Sequence, residues 1–131
     1  MEMMTQWLEL RRLERKLQED MTQALSQASY VMSLNEYQTL YFLKETEGNK
    51  MLISEISEKV GLSISATSRM LVRFEKKCGV IERHTCLEDK RAVEVVLTDL
   101  GRERLGIAQK VVQPVLEKYQ DQLKLFSQSK K

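Results

Sequence analysis

Disulfides, metal clusters and membrane spans have little to work with in this chain. Two cysteines and one histidine in 131 residues do not make the paired-cysteine framework of a small secreted domain. With no second cluster of ligands, no metal and no cofactor is expected. No apolar run approaches the roughly 18 residues that suggest a membrane span, so no membrane partner is expected. The start lacks the charged-then-apolar layout and cleavage site of a secretory signal, and the reducing cytoplasm is the default compartment. There is no glycine-rich phosphate loop, and no nucleophile stands in a known motif with a histidine partner, so enzymatic activity is not expected. Proline is limited to one residue and glycine to five, and neither occurs between residues 4 and 30.

What is present is 42% hydrophobic and 31% charged, which describes a folded domain with a real core and excludes a disordered chain. The net charge of +2 is informative only when split. Residues 1–59 hold 7 basic and 10 acidic groups, residues 60–98 hold 7 and 5, and residues 99–131 hold 7 and 4. An acidic front and a basic remainder favour a polyanion as partner of the later part.

Residues 4–30 predict one helix, with Trp7, Leu10, Leu13, Leu17, Met21, Ala24 and Ala28 recurring at threes and fours. Its length of about 40 Å is large for such a domain and points to part of its face packing on a second copy. A peripheral helix on its own core is the plainer alternative. Ser33-Leu34-Asn35-Glu36 has capping-box spacing and opens a helix to about Glu47, with Tyr37, Leu40, Tyr41 and Leu43 as its apolar face. Gly48-Asn49 ends it. A short helix over about Ser54–Val60, capped by Ser54, leads through Gly61 into the next helix, the helix-turn-helix pattern.

That next stretch, Leu62–Cys78 (LSISATSRMLVRFEKKC), organises the rest. Ile64, Met70 or Leu71, and Phe74 make an inward stripe. The opposite face carries Ser65, Ala66, Ser68 and Arg69, then Arg73 and Lys76. Small polar groups let a helix N-terminus approach another polymer closely, and long cations beside them suit phosphates, the layout of a helix entering the major groove of DNA. Ser63, Ser65, Ala66, Thr67, Ser68 and Arg69 are the candidates near base edges. Arg69 and Arg73 are the stronger candidates for phosphate contact, while Lys76 and Lys77 also fit a solvated face. Thr67 lies at helical spacing from Met70 and Leu71, so packing remains open for it.

After Cys78-Gly79 the period becomes two. Ile81, Arg83 and Thr85 alternate with Glu82, His84 and Cys86; a polar turn follows at Leu87–Lys90; then Val93, Val95 and Leu97 alternate with Glu94 and Val96. Two short strands and a charged turn form a β-hairpin, placed as the wing of a winged helix. Thr98-Asp99 caps a last long helix with Leu105, Ala108, Val112, Val115, Leu116, Tyr119, Leu123 and Phe126 on its buried face. A kink is expected at Pro114, and a frayed tail over Ser127–Lys131. The fold class is mainly α with a small β-hairpin wing.

The run Glu88–Gly101, EDKRAVEVVLTDLG, resembles the multiple-antibiotic-resistance regulator (MarR) family of bacterial winged-helix transcription factors: Asp-x-Arg in the wing, a short apolar strand, then Leu-Thr-x-x-Gly. Gly79-Val80-Ile81-Glu82-Arg83, Ser54-Glu55-Ile56 and Ser65-Ala66-Thr67-Ser68-Arg69 also match, so the resemblance covers about residues 34–105. It implies a homodimer held by the first and last helices, binding a pseudo-palindromic double-stranded DNA site, usually as a repressor and often released by a small-molecule effector, metal or oxidant. It divides the chain into an N-terminal dimerisation helix (1–32), a winged DNA-binding lobe (33–98) and a C-terminal dimerisation helix (99–131). It places Arg91 in the minor groove beside the wing, with Lys90 near phosphate and Asp89 setting the arginine's direction; a surface ion pair is the plainer reading of Asp89 and Arg91. The family commonly has a sixth helix, which this chain is not expected to form, and a longer first helix, so the dimer interface is expected to be trimmed.

Cys78 and Cys86 are candidates for oxidant sensing, or small filler residues. Tyr30, Met32, Tyr37 and Tyr41 are candidates for lining a ligand pocket implied by the resemblance, or core residues. A winged helix that binds protein instead of DNA is the alternative function. Cations on both the recognition helix and the wing argue against it.

Overall fold

Twenty-five residues without glycine or proline wind into the first helix, α1 (Glu2–Ser26). It stops short of Tyr30. Ser26 Oγ donates to Gln23 O at 2.6 Å, and the amides of Gln27 and Ala28 bond only three residues back, to Ala24 and Leu25. That is the tightened last turn of a helix end. The computed structural model describes residues 2–85 and 92–129, without the side chains of Lys77, Cys78, Gln128 and Ser129. The chain divides into two compact units, Met1–Leu34 with Ala108–Lys131, and Asn35–Ile107. Among the described residues no helix is long and apolar enough to cross a membrane.

In the first unit α1 lies with the second half of α5 (Asp99–Lys118) and with α6 (Gln120–Ser129). Leu25, Ala28, Met32, Ala108, Val112 and Tyr119 are buried there. The expected stripe of α1 is covered only toward its C-terminal end, because Trp7 and Leu10 are about half exposed, at 49% and 54%. The last helix also differs from expectation. It runs through Pro114, and the interruption falls at Tyr119, whose amide bonds only three residues back, to Leu116 O at 3.1 Å. A proline removes one donor, and the turns on either side keep theirs. α6 then starts anew, so a short sixth helix is present, and Leu123 and Phe126, expected to be buried, are exposed.

Tyr119 Oη donates to Asp20 Oδ2 at 2.6 Å, and Lys118 Nζ lies 3.5 Å from the same oxygen. The phenol and then the Lys118 charge hold the Asp20 carboxyl below its ordinary value. The same hydrogen bond, with burial and the nearby carboxylate charge, pushes Tyr119 up to about 12. A lowered carboxyl contributes stability above its unfolded pKa and loses it as pH falls through the folded value. A raised phenol contributes below its unfolded pKa and loses it as pH rises from there toward about 12. Tyr119→Phe is therefore expected to lower the urea midpoint at neutral pH, and that deficit should narrow as pH falls through the Asp20 titration. A deficit independent of pH across the acid range would contradict the assignment.

The second unit is built around a small sheet. α2 (Leu34–Glu45) ends at a single 3-10 turn, Glu47–Asn49, where the Asn49 side-chain amide donates to Leu43 O and Lys44 O at 3.2 and 3.0 Å. Arg102 Nη2 of α5 donates to Asn49 Oδ1 at 2.5 Å. Tyr41, placed on the apolar face by spacing, is 41% exposed, while Tyr37, Leu40 and Leu43 are buried. α3 (Ile53–Val60) begins one residue before the expected cap. The amide donating to the Glu55 carboxylate at 2.8 Å is that of Leu52, and Ser54 lies inside the first turn.

β1 (Lys50–Leu52) is a strand the sequence reading did not resolve. It pairs antiparallel with β3 (Val93–Leu97), whose other edge takes β2 (Ile81–Thr85), giving the order β1-β3-β2. Met51 faces Val95, and Ile81 faces Leu97. α3 packs on α4 (Ile64–Cys78), α4 against β2, and α3 against β1 and β3. The buried set includes Ile56, Leu71, Phe74, Val80, Val95, Leu97 and Leu105.

Candidate nucleic-acid interface

The turn between α3 and α4 needs a left-handed residue. Gly61 supplies it at φ 85°, where a side chain is disfavoured, and the amides of Gly61 and Leu62 both bond to Ser57 O. Ser63 then caps α4: its hydroxyl accepts from the Ala66 amide at 3.1 Å. At the far end Gly79, at φ 67°, closes the helix onto Glu75 O. The serine and the two glycines fix where α4 starts, where it stops and which face it turns outward.

Ser65, Arg69, Arg73 and Lys76 are exposed along that outward face, and Ala66 and Ser68 are half-buried beside them. Met70, Leu71 and Phe74 are buried on the opposite face. Among the described residues neither Arg69 nor Arg73 is drawn into an ion pair. Two positions correct the sequence reading. Ile64, assigned to the inward stripe, is 57% exposed. It is the first residue of the helix, ahead of the stretch that α3 and β2 cover. Thr67 is fully buried, and its hydroxyl donates to Ser63 O at 2.8 Å, so it packs and does not join the exposed face.

Arg83 has a role that spacing did not reveal. Its amide donates to Glu75 Oε2 and its Nε to Glu75 Oε1, both at 3.1 Å, with Nη2 at 3.0 Å from Oε1. This two-pronged contact ties β2 to the last turns of α4 and sets the hairpin relative to the helix. At the base of the hairpin Thr98 Oγ1 donates to Gly79 O at 2.8 Å and accepts from the Gly101 amide at 3.0 Å, while the Thr98 amide donates to Val80 O. The wing strands are thus pinned to the same helix and its cap at two places, midway along β2 and just before its start.

The strands are described as far as Thr85 and from Val93. The wing candidates Asp89, Lys90 and Arg91, and the redox candidate Cys86, lie outside the described residues. Cys78 is the last residue of α4. His84 is exposed and 3.7 Å from the Glu82 carboxylate. Among the described residues no three side chains are grouped to hold a metal. Of the pocket candidates, Met32 and Tyr37 are buried and Tyr41 is exposed. Burial, and then Tyr41 nearby, raises the Tyr37 phenol above its ordinary value. Two open concavities along α1 are lined by residues from Leu8 to Ser26, and none of the four candidates borders them.

A family model described as MarR family matches residues 32–93. An HTH-type transcriptional regulator of Bacillus subtilis (strain 168), YfiV, is 34% identical over 80 residues, which is 61% of this chain. The match spans 42% of that curated relative's own length. AbsC, a MarR family transcriptional regulator from Streptomyces coelicolor, has the same fold with a TM-score of 0.81, at 22% identity over 97% of this chain and 88% of that one. Sco3205, a MarR family transcriptional regulator from the same organism whose structure is in complex with DNA, gives a TM-score of 0.77 at 22% identity over 95% and 82% of the two chains.

Proposed function

We propose, from the match of residues 32–93 to the MarR family model, that this chain is a homodimeric, sequence-specific DNA-binding transcriptional regulator of that family. The observation that carries this is the outward face of α4. A serine-capped N-terminus free of acidic residues leads into Arg69 and Arg73, exposed one turn apart with no carboxylate engaging either among the described residues. Cations held this way neutralise phosphates and release counterions, and an arginine near the helix start reaches guanine bidentately. Arg83, by contrast, is engaged by Glu75 and serves the architecture.

A dimer is supported by the first unit. Met3, Met4, Trp7, Leu8 and Leu10 of α1, and Leu123, Leu125 and Phe126 of α6, are large apolar side chains exposed on two helices of that unit. Grouped apolar exposure of this kind marks an association surface, and a second copy is the occupant the family fold provides. Two lobes related by a two-fold axis would read half-sites about 34–36 Å apart. Lying across a promoter, such a dimer acts as a repressor.

Selecting bound duplexes from a random pool with the full chain tests this. Two inverted half-sites at one fixed spacing are expected. A bound pool as random as the input, or a protein that stays monomeric on every duplex, would refute it. Within the selected site Arg91→Ala is expected to raise Kd at least about tenfold with an unchanged circular dichroism melt. Equal anisotropy titrations for variant and wild type would remove the wing arginine from the interface.

A further inference from the structure

The first turn of α4 is short of free hydroxyls. Ser63 Oγ accepts from the Ala66 amide at 3.1 Å and lies 3.4 Å from Ser65 Oγ. Thr67 is buried and donates to Ser63 O. The large side chain that does stand out there is Ile64, 57% exposed at the first helical position. Ser68 lies one turn after it, beside the line of exposed residues Ser65, Arg69 and Arg73. Ile64 shares the side of the helix that carries Leu71, but it stands in the open first turn, where that side is uncovered.

A single exposed isoleucine is ordinary on a protein surface. This one occupies the turn that leads a recognition helix into a groove. Its side chain has no donor or acceptor, so it cannot bond a phosphate or a polar base edge. The apolar group that bases present in the major groove is the C5 methyl of thymine.

We propose that Ile64 packs on a thymine C5 methyl and is a specificity-determining residue of the interface. The inference rests on the DNA-binding reading above and adds the base class that the helix start selects. Polar contacts from Ser65 and Arg69 read their bases through hydrogen bonds. Ile64 reads its base through the exclusion of water from two hydrocarbon surfaces.

The test uses the full chain, as wild type and as Ile64→Ala, on the duplex that wild type selects from a random pool. Each thymine is replaced in turn by deoxyuridine, which removes the methyl and leaves every hydrogen-bonding group. At one thymine of each half-site the replacement is expected to weaken wild type about fourfold, the effect of one buried methyl. Ile64→Ala should bind the two duplexes nearly equally, with a melting curve like that of wild type. Indifference of wild type to every replacement overturns the proposal, and so does an equal loss in both proteins. A wild type that selects no sequence overturns the DNA-binding reading and this inference with it. That result is distinct because no site would then exist to substitute.

Discussion

Gly101→Ala is expected to lose about 3 kcal/mol of stability or more, while Gly106→Ala, five residues on in the same helix, is expected to gain about 0.5–1 kcal/mol. The two substitutions add the same methyl group to the same helix, and alanine is the better helix former at both places. The difference is what the methyl meets. At Gly101 an added Cβ overlaps the Val80 carbonyl oxygen, sits 2.6 Å from Leu97 Cδ1 and 3.2 Å from Val80 C. At Gly106 it meets nothing within 4 Å. The Val80 carbonyl cannot retreat freely, because it accepts from the Thr98 amide and Thr98 also bonds Gly79 O. The overlap must therefore open the junction that joins the end of α4, both wing strands and α5. Urea unfolding of the three proteins checks this. Matching midpoints for Gly101→Ala and wild type would show that the junction is loose.

That junction also gives a physical account of the Leu-Thr-x-x-Gly run. Leu97 buries the end of β3, Thr98 caps α5 and clasps the preceding turn, and Gly101 leaves room for a backbone to pass. The run was legible because each residue type has a narrow local job. The same holds for Ser63 as a cap, Gly61 as a left-handed turn and the period-two alternation of β2 and β3. What escaped was non-local. Glu75 and Arg83 are eight residues apart on different elements, and no local period pairs them. β1 is three residues long, too short for alternation to be seen. Helical spacing assigned Ile64, Trp7 and Phe126 to the correct kind of stripe, but spacing tells which side of a helix is apolar, not how far along it the covering surface extends. The helix break at Tyr119 carries no glycine or proline that would mark it in the sequence.

Arg69→Ala is expected to collapse the ratio of specific to random DNA affinity by about tenfold or more, the 1–3 kcal/mol of a bidentate arginine–guanine pair. Arg73→Ala should weaken both kinds of DNA alike and flatten the logarithmic salt dependence by about one unit per subunit. Both side chains are exposed on the same face, so neither substitution disturbs the core. Arg69 is one turn beyond Ser65 and near the helix start, where base edges come within reach; Arg73 is a turn further back, where the helix passes the phosphates. Anisotropy titrations of each variant on selected and random duplexes, repeated at several salt concentrations, separate the two roles. Parallel losses on both duplexes for Arg69→Ala would make it a second phosphate anchor. Specificity would then fall to the first turn of α4, to Ile64 and Ser65. Because counterion release acts on any duplex and base readout on one, the pair of arginines distinguishes an electrostatic clamp from a sequence reader without reference to the absolute Kd.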